Sequence, residues 1–335
     1  MMRIFYDDAQ RTHAPARELH NGAFAAYAET PARLDAILKA VGPTETPADR
    51  GEAPILAVHD AAYIAFLKDA PRLWQEAGRS GDAIPYAFPI RGRRPLRLDR
   101  VDALLGAHAF DATTPITADT WRSAYASAQS ALAATQAVLD GERAAFALCR
   151  PPGHHAGADY CGGYCHLNVA AIAAQAARDA GVERVAILDI DYHHGNGTQD
   201  IFYARGDVFY ASVHADPKRD YPFYWGHADE TGEGPGLGTT LNLPLPHGTT
   251  RDAFRAAQAQ ALERIAAFDP GLLVVSFGAD TWEGDPISQF ALTTPDYAVL
   301  ASDIAARGWP TVIVMEGGYA VNALGHNVLS FLAGF

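Results

Sequence analysis

Val185-Ala186-Ile187-Leu188-Asp189-Ile190-Asp191-Tyr192-His193-His194-Gly195-Asn196-Gly197 passes from an apolar run straight into carboxylates and imidazoles. The apolar part does not alternate with polar residues, as expected of a strand covered by helices on both faces. The same transition recurs along the chain. Residues 144–149 lead into Arg150-Pro151-Pro152-Gly153-His154-His155, and 208–211 into Ser212-Val213-His214. Residues 272–277 lead into Gly278-Ala279-Asp280, and 311–315 into Glu316-Gly317-Gly318-Tyr319. Separate strands that all deliver polar residues at their C-terminal ends predict one site at one edge of a parallel sheet. In open α/β sheets that edge is where ligands bind.

Outward from these stretches, strands over 3–6, 184–189, 208–213 and 240–243 join those already named. Helices are expected over 31–40, 61–68, 121–139, 168–180, 198–204, 251–268, 296–307 and from 321 onward. Strands alternating with helices imply parallel pairing and right-handed crossovers. The fold class is therefore α/β, a mainly parallel sheet with helices on both faces and the site at the strand C-termini. No repeat or linker divides the chain, and 1–335 reads as one domain. Residues 78–100 interrupt the pattern with Pro85, Pro89, Pro95, Arg91, Arg93, Arg94, Arg97 and Arg100. This irregular insertion is too long for an ordinary connection. Its arginines form either a solvated face or an arm that packs on a second subunit.

The 26 basic and 39 acidic residues give a formal charge of −13. That balance argues against nucleic-acid binding, which needs clustered Lys and Arg, and is compatible with a small cationic substrate. Cys149, Cys161 and Cys165 are too few, and odd in number, for a disulfide framework, so a reducing compartment is expected. The N-terminus lacks the apolar core of a signal peptide, and no apolar run approaches the roughly 20 residues of a membrane helix. A cytoplasmic protein without membrane contact is the expectation.

Asp191, His193 and Asp280 are the expected metal ligands. Residues two apart in extended backbone point to the same side, so one cation can take both Asp191 and His193, with Asp280 arriving from another strand end. Three protein ligands leave positions open, as in catalytic zinc sites. The mixed oxygen and nitrogen set suits Zn²⁺ and also accepts Fe²⁺ or Co²⁺. His154 and His155 follow a stiff Pro-Pro-Gly turn and are suited to general base and acid work near pH 7. Asp189 and Asn196 flank the metal ligands and are suited to orienting those rings. Tyr319, after two glycines, is either an oxyanion donor beside the metal or an ordinary core tyrosine.

Arg-Pro-Pro-Gly-His-His-Ala, Asp-Ile-Asp-Tyr-His-His-Gly-Asn-Gly-Thr, Gly-Ala-Asp-Thr…Gly-Asp-Pro and Glu-Gly-Gly-Tyr together resemble the zinc-dependent histone deacetylase superfamily, with its arginase–deacetylase fold. The likeness spans nearly the whole chain. Its length, the Glu316 position and the Pro/Arg-rich segment are most similar to the bacterial acetylpolyamine amidohydrolases. The resemblance implies that Asp191, His193 and Asp280 bind zinc and that His154 and His155 are the tandem base and acid. It implies that Asp189 orients His154, that Asn196 orients His155, and that Tyr319 holds the substrate carbonyl. Some members carry aspartate where this chain has Asn196, which leaves open which ring is the acid. It also implies a structural K⁺ or Na⁺ site at Asp189, Asp191, His193, Ser212 and Val213, and a second near Phe202.

By the same resemblance, Gly163 and Tyr164 form the channel wall, faced by Tyr221, Phe223 or Tyr224. The implied activity is removal of acetyl groups from acetylpolyamines, small cationic amines. Glu18 and Asp102 are the expected carboxylates at the channel mouth, and 78–100 the expected homodimer arm. Deacetylation of acetyl-lysine, and metal or ligand binding without catalysis, are the alternatives.

Overall fold

A computed structural model describes residues 2–90 and 97–335; the reading of Arg91, Arg93, Arg94 and Pro95 lies outside them. The chain begins with β1 (Arg3–Phe5), the hairpin β2 (Arg17–His20) and β3 (Ala23–Ala26), then α1 (Ala32–Val41), α2 (Ala53–Leu56) and α3 (Ala61–Glu76). It continues through α4 (Val101–Ala107), α5 (Thr120–Leu139), β4 (Ala144–Ala147), α6 (Val169–Asp179), β5 (Val185–Asp189), α7 (Asn196–Phe202) and β6 (Val208–Ala215). It ends with β7 (Thr240–Leu245), α8 (Arg251–Phe268), β8 (Leu272–Phe277), α9 (Thr294–Ala305), β9 (Thr311–Met315) and α10 (Val321–Leu332). The periodicity misses the β2–β3 hairpin. Its signal is Asn21-Gly22, both at positive φ (50° and 79°), the dipeptide that a two-residue hairpin turn favours. Helix α3 runs through Pro71 to Glu76, well past the expected 61–68.

Seven parallel strands form one sheet in the order β1-β4-β9-β8-β5-β6-β7. From β5 the chain moves on to β6, toward one edge; from β8 it moves on to β9, toward the other. The adjacent pair β5 and β8 is therefore a switch point, where diverging connections open a crevice at the strand C-termini. Asp189 pairs with Ser276 in that register, so the residues that follow each strand emerge side by side.

Side chains alternate across the sheet. Ala186, Leu188, Leu273, Val275, Ile313 and Met315 pack with α1, α8, α9 and α10. Val185, Ile187, Leu272, Val274, Val312 and Val314 pack with α5 and α6. Covering both faces is what lets these strands dispense with polar alternation. Helix α5 is buried almost all round and rich in Ala and Ser, which brings it close to the sheet. Ser127 of α5 donates to the Pro151 carbonyl at 3.0 Å, anchoring the loop after β4, and Ser123 donates to the Gln10 carbonyl at 2.8 Å, holding the N-terminal segment. Among the described residues no helix is long and apolar enough to cross a membrane.

Candidate active site

The ends of β5 and β8 bring Asp191, His193 and Asp280 together. Their candidate ligand atoms all lie within 4.8 Å of one another, and all three residues are buried. His193 Nδ1 is 3.4 Å from Asp191 Oδ1 and 3.2 Å from Asp280 Oδ2. The carboxylates are aimed by main-chain donors. The Gly317 N–H reaches Asp191 Oδ2 at 2.8 Å, and the Tyr192 N–H reaches Asp280 Oδ1 at 3.0 Å. Burial, and then the Asp191 charge, push the Asp280 carboxyl up to about 7. Two carboxylates this close and this dry fit a divalent cation, which removes their repulsion. The glycines beside them are obligatory for space. A Cβ on Gly278 would sit 2.0 Å from Asp191 Oδ2, and one on Gly317 2.4 Å from Asp280 Oδ2.

The tandem histidines lie beside this centre, their ring centroids 4.1 Å apart. His154 Nδ1 is 3.0 Å from Asp189 Oδ2, which also accepts the Tyr210 hydroxyl at 3.1 Å. Burial opposes a charged His154, but Asp189 and Asp191 outweigh it and raise its pKa to about 10. His155 Nδ1 is 2.7 Å from Asn196 Oδ1. An amide oxygen can only accept, so Nδ1 carries the proton and Nε2 presents its lone pair. Burial, followed by the charges on His154 and His193, holds His155 well below the usual imidazole range. The two rings are thus driven toward opposite protonation states, the arrangement expected of a divided acid–base pair.

Tyr319 lines the same cavity, and burial holds its phenol well above its ordinary range, so it remains a donor. Two features hold it that the sequence reading did not assign. Asp285 Oδ2 accepts the main-chain N–H groups of Tyr319 at 2.7 Å and Ala320 at 3.1 Å. The Arg33 guanidinium lies 5.1 Å from the Tyr319 ring centroid, donates to the Gly318 carbonyl at 2.7 Å and pairs with Glu29 at 2.6 Å. Glu29 also pairs with Arg150 Nε at 2.9 Å, making a fully buried Arg–Glu–Arg group. Arg33 and Glu29 belong to α1 and the turn before it, far from any motif; their only sequence signal is a charged pair four apart.

A cavity of about 510 Å³ leads to His155, His193 and Tyr319 and is walled by Gly163, Tyr164, Tyr221, Phe223, Tyr224, Asp111 and Asp220. Tyr221 is the deep member of its segment, with ring centroids 5.1 Å from His155 and 6.0 Å from His193. Phe223 and Tyr224 lie at the exposed mouth. Asp111, missed in the sequence, joins the two walls: its Oδ2 accepts the Gly163 N–H at 2.8 Å and the Tyr221 hydroxyl at 2.7 Å.

Two expected rim carboxylates are elsewhere. Glu18 is buried on β2 behind Tyr164, whose hydroxyl donates to it at 3.0 Å, because the unforeseen hairpin folds it inward. Asp102, in α4, is buried and held by Arg79 at 2.7 Å and Arg100 at 2.8 Å. Neither lines the cavity. Asp189 and Ser212 are register partners on β5 and β6, with Val213 next to Ser212 and Phe202 closing α7. The Ser212 hydroxyl is 2.8 Å from His214 Nδ1.

Residues 27–335 match the histone deacetylase domain. The chain is 50% identical to acetylpolyamine amidohydrolase 1 of Pseudomonas aeruginosa, over 100% of this chain and 99% of that one. It is 45% identical to the acetylpolyamine amidohydrolase of Mycoplana ramosa, over 99% of each. A crystal structure of acetylpolyamine aminohydrolase from Burkholderia pseudomallei superposes with a TM-score of 0.96 at 45% identity, covering 100% of this chain and 98% of that one.

Proposed function

This chain belongs to the histone deacetylase family, and we propose that it hydrolyses the acetyl-amide bond of acetylated polyamines to acetate and free amine. The observation that carries the proposal is the convergence of a three-ligand metal cage, a neutral imidazole and a buried phenol at the end of one aromatic-walled cavity. Asp111 and Asp220 give that cavity carboxylates, and its aromatic faces suit a cationic chain. The full-length relatives named acetylpolyamine amidohydrolases support the same substrate class.

Asp191, His193 and Asp280 would hold the divalent metal, which we read as zinc from the mixed donor set, with Fe²⁺ or Co²⁺ as substitutes. When bound, the metal supplies electrophilic assistance to the acetyl carbonyl and to the attacking water. His155 accepts the water proton at Nε2, while Asn196 keeps Nδ1 protonated and the ring in place. Tyr319 donates to the developing oxyanion. His155 then returns its proton to the leaving amine. His154, kept charged by Asp189, offsets the negative charge that builds beside it.

A monovalent cation, K⁺ or Na⁺, on carbonyls near Asp189, Asp191, His193, Ser212 and Val213 would brace the β5–β6 end, with a second near Phe202. A homodimer through 78–100 is supported by exposed apolar side chains at Tyr86, Phe88, Ile90 and Leu98. Three buried free thiols support a reducing, cytoplasmic setting.

The test is steady-state hydrolysis by the zinc-loaded protein of N-acetylputrescine and acetylspermidine against an acetyl-lysine peptide. A clear preference for the polyamines is expected. Equal or faster turnover of the peptide would replace the polyamine reading with that of a lysine deacetylase. No turnover of any acetylated amine by fully metallated protein would leave a non-catalytic binding protein.

A further inference from the structure

Glu316 is fully buried and takes no part in the steps above. Its Oε2 accepts the main-chain N–H groups of Gly153 at 2.6 Å and His154 at 3.1 Å, and its Oε1 accepts the Ser276 hydroxyl at 2.7 Å. Strand β9, which it follows, lies between β4 and β8. One carboxylate from the middle strand therefore reaches the loop after one neighbour and the end of the other. Its own main chain is held as well. Its N–H donates to the Phe277 carbonyl at 2.8 Å, and Arg33 donates to its carbonyl. On the far side of the loop, the Thr198 N–H donates to the His154 carbonyl at 3.1 Å. Loop main chain that carries the base His155 and the charged His154 is thus clamped from both sides, and among the described residues Glu316 is the only side chain that accepts from its N–H groups.

We propose that Glu316 is a positioning residue for the hydrolysis: it locks the His154–His155 loop to the strand that delivers Tyr319, so that the two imidazoles and the phenol keep a fixed separation during turnover. The proposal rests on the functional reading above. Buried main-chain donors left without an acceptor are costly, and small displacements of catalytic groups are costly in rate. A residue that merely filled space would be replaced without loss by any side chain of similar volume. A positioning residue needs its acceptor atoms.

The zinc-loaded wild type, Glu316→Gln, Glu316→Leu and Ser276→Ala are compared for kcat and KM on N-acetylputrescine, for zinc content, and for amide hydrogen exchange in peptides covering 150–156. Gln retains an oxygen for the two N–H groups and turns its amide to Ser276, whose hydroxyl rotates to accept. It is expected within a few-fold of wild type. Leu keeps the bulk without the acceptors. It is expected to lose on the order of 10²-fold in kcat, with KM and zinc content nearly unchanged and faster exchange at 150–156. Ser276→Ala is expected to lower kcat several-fold with the same local exchange signature, and it carries the test if the Leu variant does not fold. Wild-type kcat in the Leu variant, unchanged exchange at 150–156, equal damage from Gln and Leu, or zinc lost together with activity would each overturn the proposal. A wild type inactive on every acetylated amine, yet with exchange that quickens in the Leu variant, would refute the functional reading and leave the anchoring intact.

Discussion

Asn196 Oδ1 lies 2.7 Å from His155 Nδ1, while the neighbouring His154 Nδ1 faces a carboxylate, Asp189, at 3.0 Å. The amide fixes the His155 tautomer without adding negative charge, so burial and the neighbouring charged His154 keep that ring neutral. Replacing Asn196 by Asp would stabilise the imidazolium and raise the His155 pKa. The base form would then be lost at a higher pH, and the acid limb of the kcat/KM profile is expected to move upward. Asn196→Ala should instead lower kcat by about 10–100-fold, the usual cost of losing such an orienting partner. An acid limb that stays put in Asn196→Asp would remove His155 from the role of base.

Tyr319→Phe deletes one hydroxyl and leaves the Asp285 and Arg33 contacts to the main chain and ring in place. The expected result is a 10²–10³-fold fall in kcat, the typical cost of one oxyanion donor, with zinc content unchanged. Near-normal turnover would make Tyr319 a wall residue.

Gly278→Ala would place a Cβ 2.0 Å from Asp191 Oδ2, with no flexible group to give way except the ligand itself. Displacing that carboxylate should weaken zinc binding by at least about 10-fold, read by competition with a chelator. Unchanged affinity would mean that the cage is looser than its geometry indicates.

Glu18 is an acid whose pKa burial pushes up to about 7. Between the ordinary carboxyl range and 7 the unfolded chain has released this proton and the folded chain still holds it. Folding therefore takes up a proton there, and stability falls as pH rises through that window. Glu18→Gln can keep an acceptor for the Tyr164 hydroxyl and has no charge to bury. Its Tm is expected to match wild type near pH 4.5 and to exceed it near pH 8. A difference independent of pH would show that Glu18 is not the group titrating.

Much of this site is legible along the chain because its signals are local. The metal pair Asp191 and His193, the histidine pair and Tyr319 each stand within a few residues of the apolar strand that presents them. The hairpin that buries Glu18 is missed because no apolar alternation marks its strands; its one signal is the turn dipeptide Asn21-Gly22. Asp111 carries no such mark. It is one acid in a loop, and its value lies in accepting from Gly163 and Tyr221, 52 and 110 residues away.

By itself the sequence determined the parallel α/β class, the strands and the chemistry at their ends, because side-chain period and turn residues act over short spans. Only the tertiary structure decided which ends meet. Placing β8 beside β5 brings Asp280 to His193, placing β9 between β4 and β8 gives Glu316 its three donors, and folding β2 inward sets Glu18 behind Tyr164. Those pairings depend on strand order and long-range packing, which no window along the chain contains.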